Sequence, residues 1–514
     1  MIKVHNSRVQ KAGKNILWLS VYEIVTFISG LILPKLILEN FGSSYNGITS
    51  SITQLLRIVS VLRLGVAGAT RVALYKPLAE NDVDRISSIV RATEVYLRRV
   101  GVVIIGYIVL LAVLYPRMVD TGFDTIDISV LIIALGIGVF AQYFFGITYQ
   151  TLLSADQRIY VYNIIQIMST IANTIISVIL IRMNYSIQMV KLGSAIAFFL
   201  SPLILSIYVS RKYKLKKRIK PDNNSLAQKK DVMGHSIANI VHENTDVVVL
   251  TIFCDIKLVS VYMVYNFVIS GVNAILNVFT SGTEAIFGNM WAKNEKEGIR
   301  KYLGFYEYII GVFVSVCFSA TYALVLPFVS LYTSGVTDVQ YIRPVYAIIV
   351  ILAQIFYCFR IPYRTLVQGA GHYKQTKNGA YIEATINIVI SVALVNIIGL
   401  SGVAIGTLVA NIFRTMQFAF YIERNIVNRG MLAVFKIMLW SLINVAISLV
   451  VGLKLSSVFA YTSWINWIYC AIAIMVVSLI VCFVSSLIFY KNNVTELCEL
   501  LKKVLKISRV KRGL

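Results

Sequence analysis

Ionisable side chains lie inside sequence that is otherwise apolar enough to cross a membrane. The segment 234–248, GHSIANIVHENTDVV, carries His235, His242, Glu243 and Asp246 and continues into further apolar sequence. Such groups can bind a metal ion, relay protons or join helices. The two histidines are seven positions apart, about 10 Å along a helix, which is too far for one metal ion without an intermediate ligand. We predict no metal site here, while H⁺ or Na⁺ coupling through His242, Glu243 and Asp246 and simple lining of a cavity both stay open.

The elements that carry these residues are predicted to be membrane-spanning helices. The chain has 514 residues, of which 58% are hydrophobic and 14% charged, whereas soluble domains carry about 25% charged residues. The apolar residues occur in blocks of about 20, the length that a helix needs to cross the hydrocarbon core. We therefore predict an all-α integral membrane protein. Its spans, about 14 in number, are placed near 16–38, 45–66, 96–115, 129–153, 161–181, 190–210, 234–254, 258–282, 303–328, 341–363, 379–399, 402–421, 433–455 and 464–490.

The distribution of basic residues predicts the orientation of these spans. The net charge is +24, and the Lys and Arg residues concentrate at the N-terminus, in alternate loops and in the tail, with the longest run at 211–230. The positive-inside rule then places both termini in the cytoplasm. The charge is explained by topology and by attraction to anionic lipid, so we expect no nucleic acid partner. The order of spans predicts a first lobe at 1–210 (spans 1–6), a basic linker at 211–233, a second lobe at 234–430 (spans 7–12), two extra spans at 431–490 and a basic tail at 491–514.

No sequence feature points to an enzyme. No predicted loop exceeds about 30 residues, and the sequence contains no Walker A, GxSxG or HExxH motif. The six cysteines are scattered without a CxxC pair, which predicts neither a disulfide framework nor a zinc site. The polar groups available for function therefore lie within the spans, and we expect a transporter without a cofactor.

Polar side chains repeat at steps of three and four in several predicted spans, which places each set on one face of its helix. Span 5, for example, carries Asn163, Gln166, Thr170, Asn173 and Ser177. Such faces either join packed helices by hydrogen bonds or line a hydrated cavity. We favour a cavity, since an unsatisfied polar group in lipid costs several kcal/mol. The residues expected to line it are Glu23, Asn46, Thr53, Asn239, Asn266, Asn273, Asn277, Glu284 and Asn411.

Four arginines lie within or near the inner ends of the spans: Arg57, Arg360, Arg364 and Arg414. A cation facing lipid at the centre of a membrane costs at least about 2.5 kcal/mol, so these groups should face protein or water. They are candidates to hold an anionic substrate group such as a phosphate. The alternative is pairing within the protein, with Glu23, with Glu383 or with backbone carbonyls. Counting residues places Glu23 about 10 Å and Arg57 about 14 Å from the cytoplasmic ends of their helices, so an ion pair between them is expected.

Three segments carry a resemblance to a known family. They are GHSIANIVHENTDVVVLTIFCDIKLVSVYMVYNFV at 234–268, GNMWAKNEKE at 288–297 and AGHYKQTKNGAYIEATINIVISVALVNIIGLSGVAIGTLVANIFR at 370–414. In these segments, and in ENFGSSYNGITSSI and LRLGVAGATRVALYKPLAENDVDRISSI of the first half, the chain resembles the polysaccharide-transporter family of lipid-linked oligosaccharide flippases, the Wzx type. The likeness spans roughly residues 14–430. The resemblance implies the MOP superfamily fold, shared with MATE exporters and the lipid II flippase. In that fold two six-helix lobes enclose a central cavity, here with two further C-terminal helices.

The resemblance also implies a function. It implies a substrate of undecaprenyl-diphosphate-linked sugar repeat units, moved across the bacterial inner membrane for O-antigen, capsule or exopolysaccharide. A cationic lumen would hold the diphosphate, with Arg57 the best match and Arg360, Arg364 and Arg414 as further candidates. H⁺ or Na⁺ coupling, contact with membrane lipids, partnership with the polymerase or chain-length machinery, and a monomeric state are further expectations.

Two other functions stay open. A cation-coupled multidrug exporter of the same fold would have a more aromatic and acidic cavity and would not need deep arginines. A membrane-embedded polysaccharide polymerase would usually carry a large periplasmic loop or an acidic catalytic loop.

Overall fold

The computed structural model of the protein describes residues 2–119, 122–216, 218–222, 244–280, 283–456, 463–499 and 502, and every regular element among them is helical. The helices are α1 Ile2–Ile58, α2 Val61–Glu80, α3 Val83–Met118, α4 Thr125–Ala141, α5 Ile147–Ala155, α6 Ile159–Arg182, α7 Ile187–Lys212, α8 Asn244–Phe253, α9 Ile256–Thr280, α10 Thr283–Ala292, α11 Lys296–Tyr332, α12 Pro344–Gly369, α13 Tyr373–Ile398, α14 Leu400–Ile422, α15 Met431–Ser456 and α16 Trp464–Phe489. One-turn π-helices, at Gln142–Gly146 and Glu423–Val427, follow α4 and α14. The predicted all-α class is confirmed.

The first two predicted spans form one long element, α1, with a break at Gly42. The backbone there has φ 80° and ψ 177°, a conformation that only glycine adopts readily. The second half of α1 ends at Ile58, and α2 begins at Val61. The expected second span at 45–66 therefore ends eight residues early.

Twelve helices of the described residues are long and apolar enough to cross a membrane. This count takes the broken helix α1 once and leaves out α8, whose predicted span begins among residues 223–243, outside the description. Large aliphatic side chains are exposed along these helices, with Ile397 exposed to 75% and Ile488 to 70%. Exposed apolar surface on this scale is what lipid contact requires. The chain is a multi-pass membrane protein; the number 14 and the cytoplasmic termini stay predictions.

The chain divides into two compact units. The first comprises Met1–Met263 and Gly335–Val339. Its core between α2, α3, α5, α6 and α7 is built from aliphatic side chains such as Leu74, Leu152 and Leu205, all at most 1% exposed. Close packing of this kind fixes the relative positions of these helices.

The second unit comprises Val264–Ser334 and Gln340–Leu514. In it α14 packs against both α12 and α13. A Cβ atom at Gly402 would lie 2.6 Å from the backbone of Leu394, and one at Gly406 would lie 2.9 Å from the backbone of Asn387. Glycines four residues apart on α14 therefore let its backbone approach α13 closely, as in other membrane helix pairs.

The first compact unit extends beyond the predicted lobe boundary at 234. Asn46 Nδ2 donates a hydrogen bond of 2.7 Å to Ser260 Oγ, and the hydroxyls of Ser51 and Thr251 are 2.7 Å apart. These buried bonds join the second half of α1 to α8 and to the beginning of α9. The units follow these contacts, and the assignment of span 7 to a second lobe stays a prediction.

A buried ion cluster fixes the turn between α14 and α15. The guanidinium of Arg429 is bonded to the carboxylate of Glu307 on α11 at 2.7 and 2.8 Å, and to that of Glu423 at 2.6 and 3.1 Å. Glu423 Oε2 also accepts the backbone N–H groups of Arg429 and Gly430. Burial alone lowers the pKa of Arg429, but the bonds and charges of Glu307 and Glu423 outweigh it and raise that pKa. The cluster therefore attaches the turn that precedes α15 to α11.

Candidate functional site

Arg57 lies in the last turn of α1, within the first unit. Leu56 and Val59 beside it are buried, which turns Arg57 to the open side of the helix, where its side chain is exposed. No ion pair or side-chain hydrogen bond joins it to any described residue. A guanidinium has five N–H donors and stays charged at any physiological pH. Arg57 is thus available to bind an anion.

The ion pair expected between Glu23 and Arg57 is absent from the described part of the chain. Glu23 is also exposed and forms no ion pair with the residues that the structure covers. The expectation rested on equal depth along neighbouring helices, but depth alone does not bring two side chains within about 4 Å. The absence of this pair leaves the charge of Arg57 uncompensated.

Arg360 and Arg414, in the second unit, share one carboxylate. Arg360 Nη1 on α12 and Arg414 Nε on α14 bind the two oxygens of Glu383 on α13, the second at 3.3 Å. All three side chains are at most 7% exposed. Two guanidinium charges against one carboxylate leave a formal charge of +1. The alternative of pairing with Glu383 is therefore realised for both arginines, and neither is available as a free anion ligand.

The surroundings of Arg414 show how closely this cluster is built. Its Nη1 donates to the carbonyl of Thr376 at 3.0 Å and to Gln417 Oε1 at 2.7 Å. Its guanidinium lies 4.0 Å from the ring centre of Phe418. At Gly379 a Cβ atom would lie 2.6 Å from Gln417 Cδ and closer still to Arg414 Nη1. A side chain at this position of α13 would therefore displace the ends of the Arg414 and Gln417 side chains.

Arg364 is the more accessible cation of the second unit. It lies one turn beyond Arg360 on α12 and is half-buried. The ring centre of Tyr357 is 4.6 Å from the guanidinium of Arg360 and 5.8 Å from that of Arg364. Arg364 forms no ion pair with a described carboxylate. Of the four predicted cations, Arg57 and Arg364 therefore keep an unpaired charge.

The polar faces of the helices divide into buried and accessible ones. The span 5 face is buried at all five positions, Asn163, Gln166, Thr170, Asn173 and Ser177. It bonds to the neighbouring helix α7, where Ser177 Oγ lies 3.1 Å from Ser194 Oγ. The expectation that this face lines a hydrated cavity is wrong, because all five side chains are buried within the protein.

Two further faces are also buried. Asn387 Nδ2 on α13 donates to Thr407 Oγ1 at 2.9 Å, and Asn411 Nδ2 on α14 donates to the carbonyl of Ala353 at 3.0 Å. Asn46 is buried on Ser260, while Thr53 is half-buried and donates to the carbonyl of Thr49. Asn46 and Asn411 thus join helices and do not line open space, since a polar group that pairs across a helix contact needs no water.

The polar face of α9 is accessible. Asn266 and Asn273 are half-buried, and Asn277 and, on α10, Glu284 are exposed. Asn273 Oδ1 accepts a hydrogen bond from Gln354 Nε2, and Glu284 Oε1 accepts one from the Tyr373 hydroxyl at 3.4 Å. A partly exposed row of amides inside an apolar span is suited to water and to sugar hydroxyls.

The segment with the two histidines is described only in part. His235, Asn239, His242 and Glu243 lie outside the described residues. Asp246 on α8 is buried, and its Oδ2 accepts a hydrogen bond from the Tyr262 hydroxyl at 3.5 Å. Among the described residues no group of three or more His, Cys, Asp or Glu side chains could hold a metal ion. Ion coupling at this segment stays a prediction.

Sequence reasoning missed several residues of these clusters. Tyr357 precedes Arg360 and Arg364 by three and seven residues, a spacing that places all three on one helix face. The pairing of Arg429 with Glu307 joins residues 122 positions apart. No local pattern reveals such a contact. Tyr357 could have been found from the sequence, and the Arg429 cluster could not.

These elements define a multi-pass helical membrane protein. Comparison with protein-family models and with curated proteins returns no match. Among solved structures the chain is similar to the lipid II flippase MurJ in an inward closed conformation, with a TM-score of 0.70, 15% identity, and coverage of 93% of this chain and 100% of that one.

Two multidrug transporters are also similar in fold. An inward-facing MATE family transporter of the MOP superfamily has a TM-score of 0.60 at 14% identity, and the match covers 83% of this chain and 94% of that one. The MATE multidrug transporter DinF-BH has a TM-score of 0.57 at 15% identity, and the match covers 79% of this chain and 93% of that one. At these identities the likeness shows the fold and does not identify a substrate.

Proposed function

We propose that this protein is a flippase for lipid-linked oligosaccharides carried on a polyprenyl diphosphate. It would move them across the bacterial inner membrane by alternating access, for the synthesis of a surface polysaccharide. The single observation that carries the proposal is the exposed, unpaired guanidinium of Arg57 at the end of a membrane helix. Retaining such a charge is costly in an apolar surrounding, and an anionic substrate would offset that cost.

The charges of the candidate residues favour an anionic substrate over a cationic drug. Arg57 and Arg364 are unpaired with the described carboxylates, and the Glu383 cluster keeps one net positive charge. Arginine binds phosphate oxygens through two parallel N–H groups, a geometry that lysine does not offer. A cationic drug would be repelled by these same groups. The fold alone supports a drug exporter equally, so the preference for an anionic substrate rests on the cations.

The proposal divides the four arginines into two roles. Arg57 of the first unit and Arg364 of the second would each be a candidate ligand of the diphosphate. Arg360 and Arg414, held on Glu383, would position α12, α13 and α14 and contribute a fixed positive field. The accessible amides of Asn266, Asn273 and Asn277 would hydrogen-bond the sugars. The prenyl chain would stay in the bilayer.

The proposal is tested by complementation in a host from which the gene has been deleted. Loss of the protein should remove the surface polysaccharide and leave lipid-linked repeat units on the cytoplasmic side. Arg57→Ala should fail to restore the polysaccharide, whereas Arg57→Lys should restore part of it. Arg71→Ala, at an exposed arginine of α2, is the matched control and should restore it fully. Intact polysaccharide together with new drug sensitivity in the deletion strain would instead establish a drug exporter.

A further inference from the structure

A cationic groove lies in the first unit, along α3, and uses none of the four arginines considered so far. It has a volume of about 280 Å³ and is lined by Arg91, Val95, Arg98, Arg99 and Val102 of α3 and by Phe144 of the π-helical turn after α4. The five α3 residues follow one another at steps of four, three, one and three, so they share one face of the helix. Three guanidinium groups therefore converge on one open groove.

One carboxylate neutralises part of this charge. Glu94 binds Arg91 Nη1 at 2.8 Å and Arg98 Nη2. Arg99 is exposed and forms no ion pair with the described residues. Three guanidinium charges against one carboxylate leave a formal charge of +2. The guanidinium of Arg98 also lies 5.0 Å from the ring centre of Phe144, which holds it at the groove while donors remain free.

The groove lies at the predicted inner boundary of the hydrocarbon layer. Arg99 precedes Met118, the last residue of α3, by 19 positions, about 29 Å along the helix and close to the thickness of the hydrocarbon core. The side chains of Val102 and Val103, in the turn that follows it, are exposed to 64% and 62%. The α3 surface thus changes from aliphatic to cationic within one turn. A lipid could therefore place its phosphate on the arginines and its acyl chains on the valines of the same helix.

We propose that this groove binds the headgroup of an anionic phospholipid of the cytoplasmic leaflet. Arg91, Arg98 and Arg99 bind the phosphodiester oxygens, and Val95, Val102 and Phe144 contact the glycerol and the first part of the acyl chains. Basic pockets between membrane helices on the cytoplasmic side are suited to such headgroups, and arginine is suited to phosphate. The site shares no residue with the proposed diphosphate ligands Arg57 and Arg364, and it makes the lipid a bound component of the protein.

The test measures lipid retention by native mass spectrometry of the full-length protein. The protein is purified in neutral detergent and incubated with phosphatidylglycerol or phosphatidylcholine. The wild-type protein should retain phosphatidylglycerol preferentially. The triple variant R91Q, R98Q and R99Q should lose at least tenfold in its affinity for phosphatidylglycerol, which corresponds to about 1.4 kcal/mol. The control variant K293Q, K296Q and R300Q removes the same charge from exposed positions at and before the beginning of α11 and should change the affinity less than twofold.

Two outcomes overturn the proposal. An equal loss in both triple variants would mean that phosphatidylglycerol responds to total charge and not to the groove. Retention of undecaprenyl diphosphate at the groove, in place of phosphatidylglycerol and lost in R91Q, R98Q and R99Q, would assign the groove to a polyprenyl substrate. If the triple variant does not fold, the single variant R99Q tests the site, because Arg99 has no ion pair to lose. R99Q should weaken phosphatidylglycerol binding about threefold. An unchanged affinity would refute the site. Failure of this test leaves the proposed transport function untouched, since that function rests on Arg57.

Discussion

Asp338 caps the break in α1 by accepting two hydrogen bonds from Ser43. Its Oδ2 accepts the Ser43 backbone N–H at 2.8 Å and its Oδ1 accepts the Ser43 hydroxyl at 2.6 Å. The residues are 295 positions apart. A helix that restarts after Gly42 has unpaired N–H groups and a positive dipole end, and a carboxylate satisfies both. The carbonyl of Asp338 in turn accepts from Lys257 Nζ at 3.3 Å, so one short segment connects α1 to α9.

Replacing Asp338 with Ala should destabilise the first unit. The change removes two hydrogen bonds to a charged acceptor, worth about 1.5–3 kcal/mol in all. A reduced midpoint of thermal unfolding in detergent measures the effect. Thr337→Ala, at an exposed neighbour, is the control and should leave the midpoint unchanged. Equal midpoints for both variants would show that the cap contributes nothing.

Removing Arg429 should destabilise the protein more strongly. Arg429→Ala leaves Glu307 and Glu423 as buried carboxylates without their cation, which costs about 3–5 kcal/mol. The raised pKa of Arg429 keeps this group charged in the wild-type protein, so the loss should be largest at neutral and alkaline pH and smaller at acidic pH, where the two unpaired carboxylates of the variant take up protons. The measurement is the yield and unfolding midpoint of the purified variant.

The matched control for that prediction is Arg424→Ala. Arg424 is exposed and lies beside Glu423 in the π-helical turn Glu423–Val427. It should change the free energy of unfolding by less than about 0.5 kcal/mol. A comparable loss in both variants would contradict the special role of the Glu307, Glu423 and Arg429 cluster.

A side chain at Gly406 should separate α13 from α14. In Gly406→Ala the new Cβ would lie 2.9 Å from the Asn387 carbonyl oxygen and from the Ser391 backbone nitrogen, and closer still to Ser391 Oγ. In the double variant Gly406→Ala with Ser391→Ala the Ser391 hydroxyl is removed as well. This should not restore stability, because the close contacts with the backbone of α13 remain. Gly106→Ala on α3 has no atom within 4 Å of the new Cβ and should be neutral or slightly stabilising. The measurement is the midpoint of thermal unfolding of the three variants. An unchanged midpoint for Gly406→Ala would mean that the helices can move apart without cost.

Replacing Glu383 should destabilise the protein, because Glu383 is the carboxylate that pairs with Arg360 and Arg414. Glu383→Gln leaves Arg360 and Arg414 as buried cations without a carboxylate, at a cost of about 3–5 kcal/mol. The double change Glu383→Gln with Arg414→Gln removes one of those charges and should recover part of the stability. Wild-type stability of the single variant, measured by thermal unfolding, would mean that water reaches the cluster.

The sequence alone predicts the helical class, because blocks of about 20 apolar residues are a local property. It also identifies the four arginines. It does not reveal which are paired, since the pairs of Arg360 and Arg414 with Glu383 join side chains from three different helices. For the same reason periodicity could not separate the buried face of α6 from the accessible face of α9. Both have polar residues at helical spacing, and only the packing partner distinguishes them.

The proposed function depends above all on Arg57 binding the diphosphate of a lipid-linked oligosaccharide during transport. The most direct test reconstitutes the purified protein in liposomes and measures movement of an undecaprenyl-diphosphate oligosaccharide from one leaflet to the other. The wild-type protein should move it, Arg57→Lys should move it more slowly, and Arg57→Ala should be at least tenfold slower, with Arg71→Ala as fast as the wild type. A transport rate of Arg57→Ala equal to that of the wild-type protein would contradict this role of Arg57.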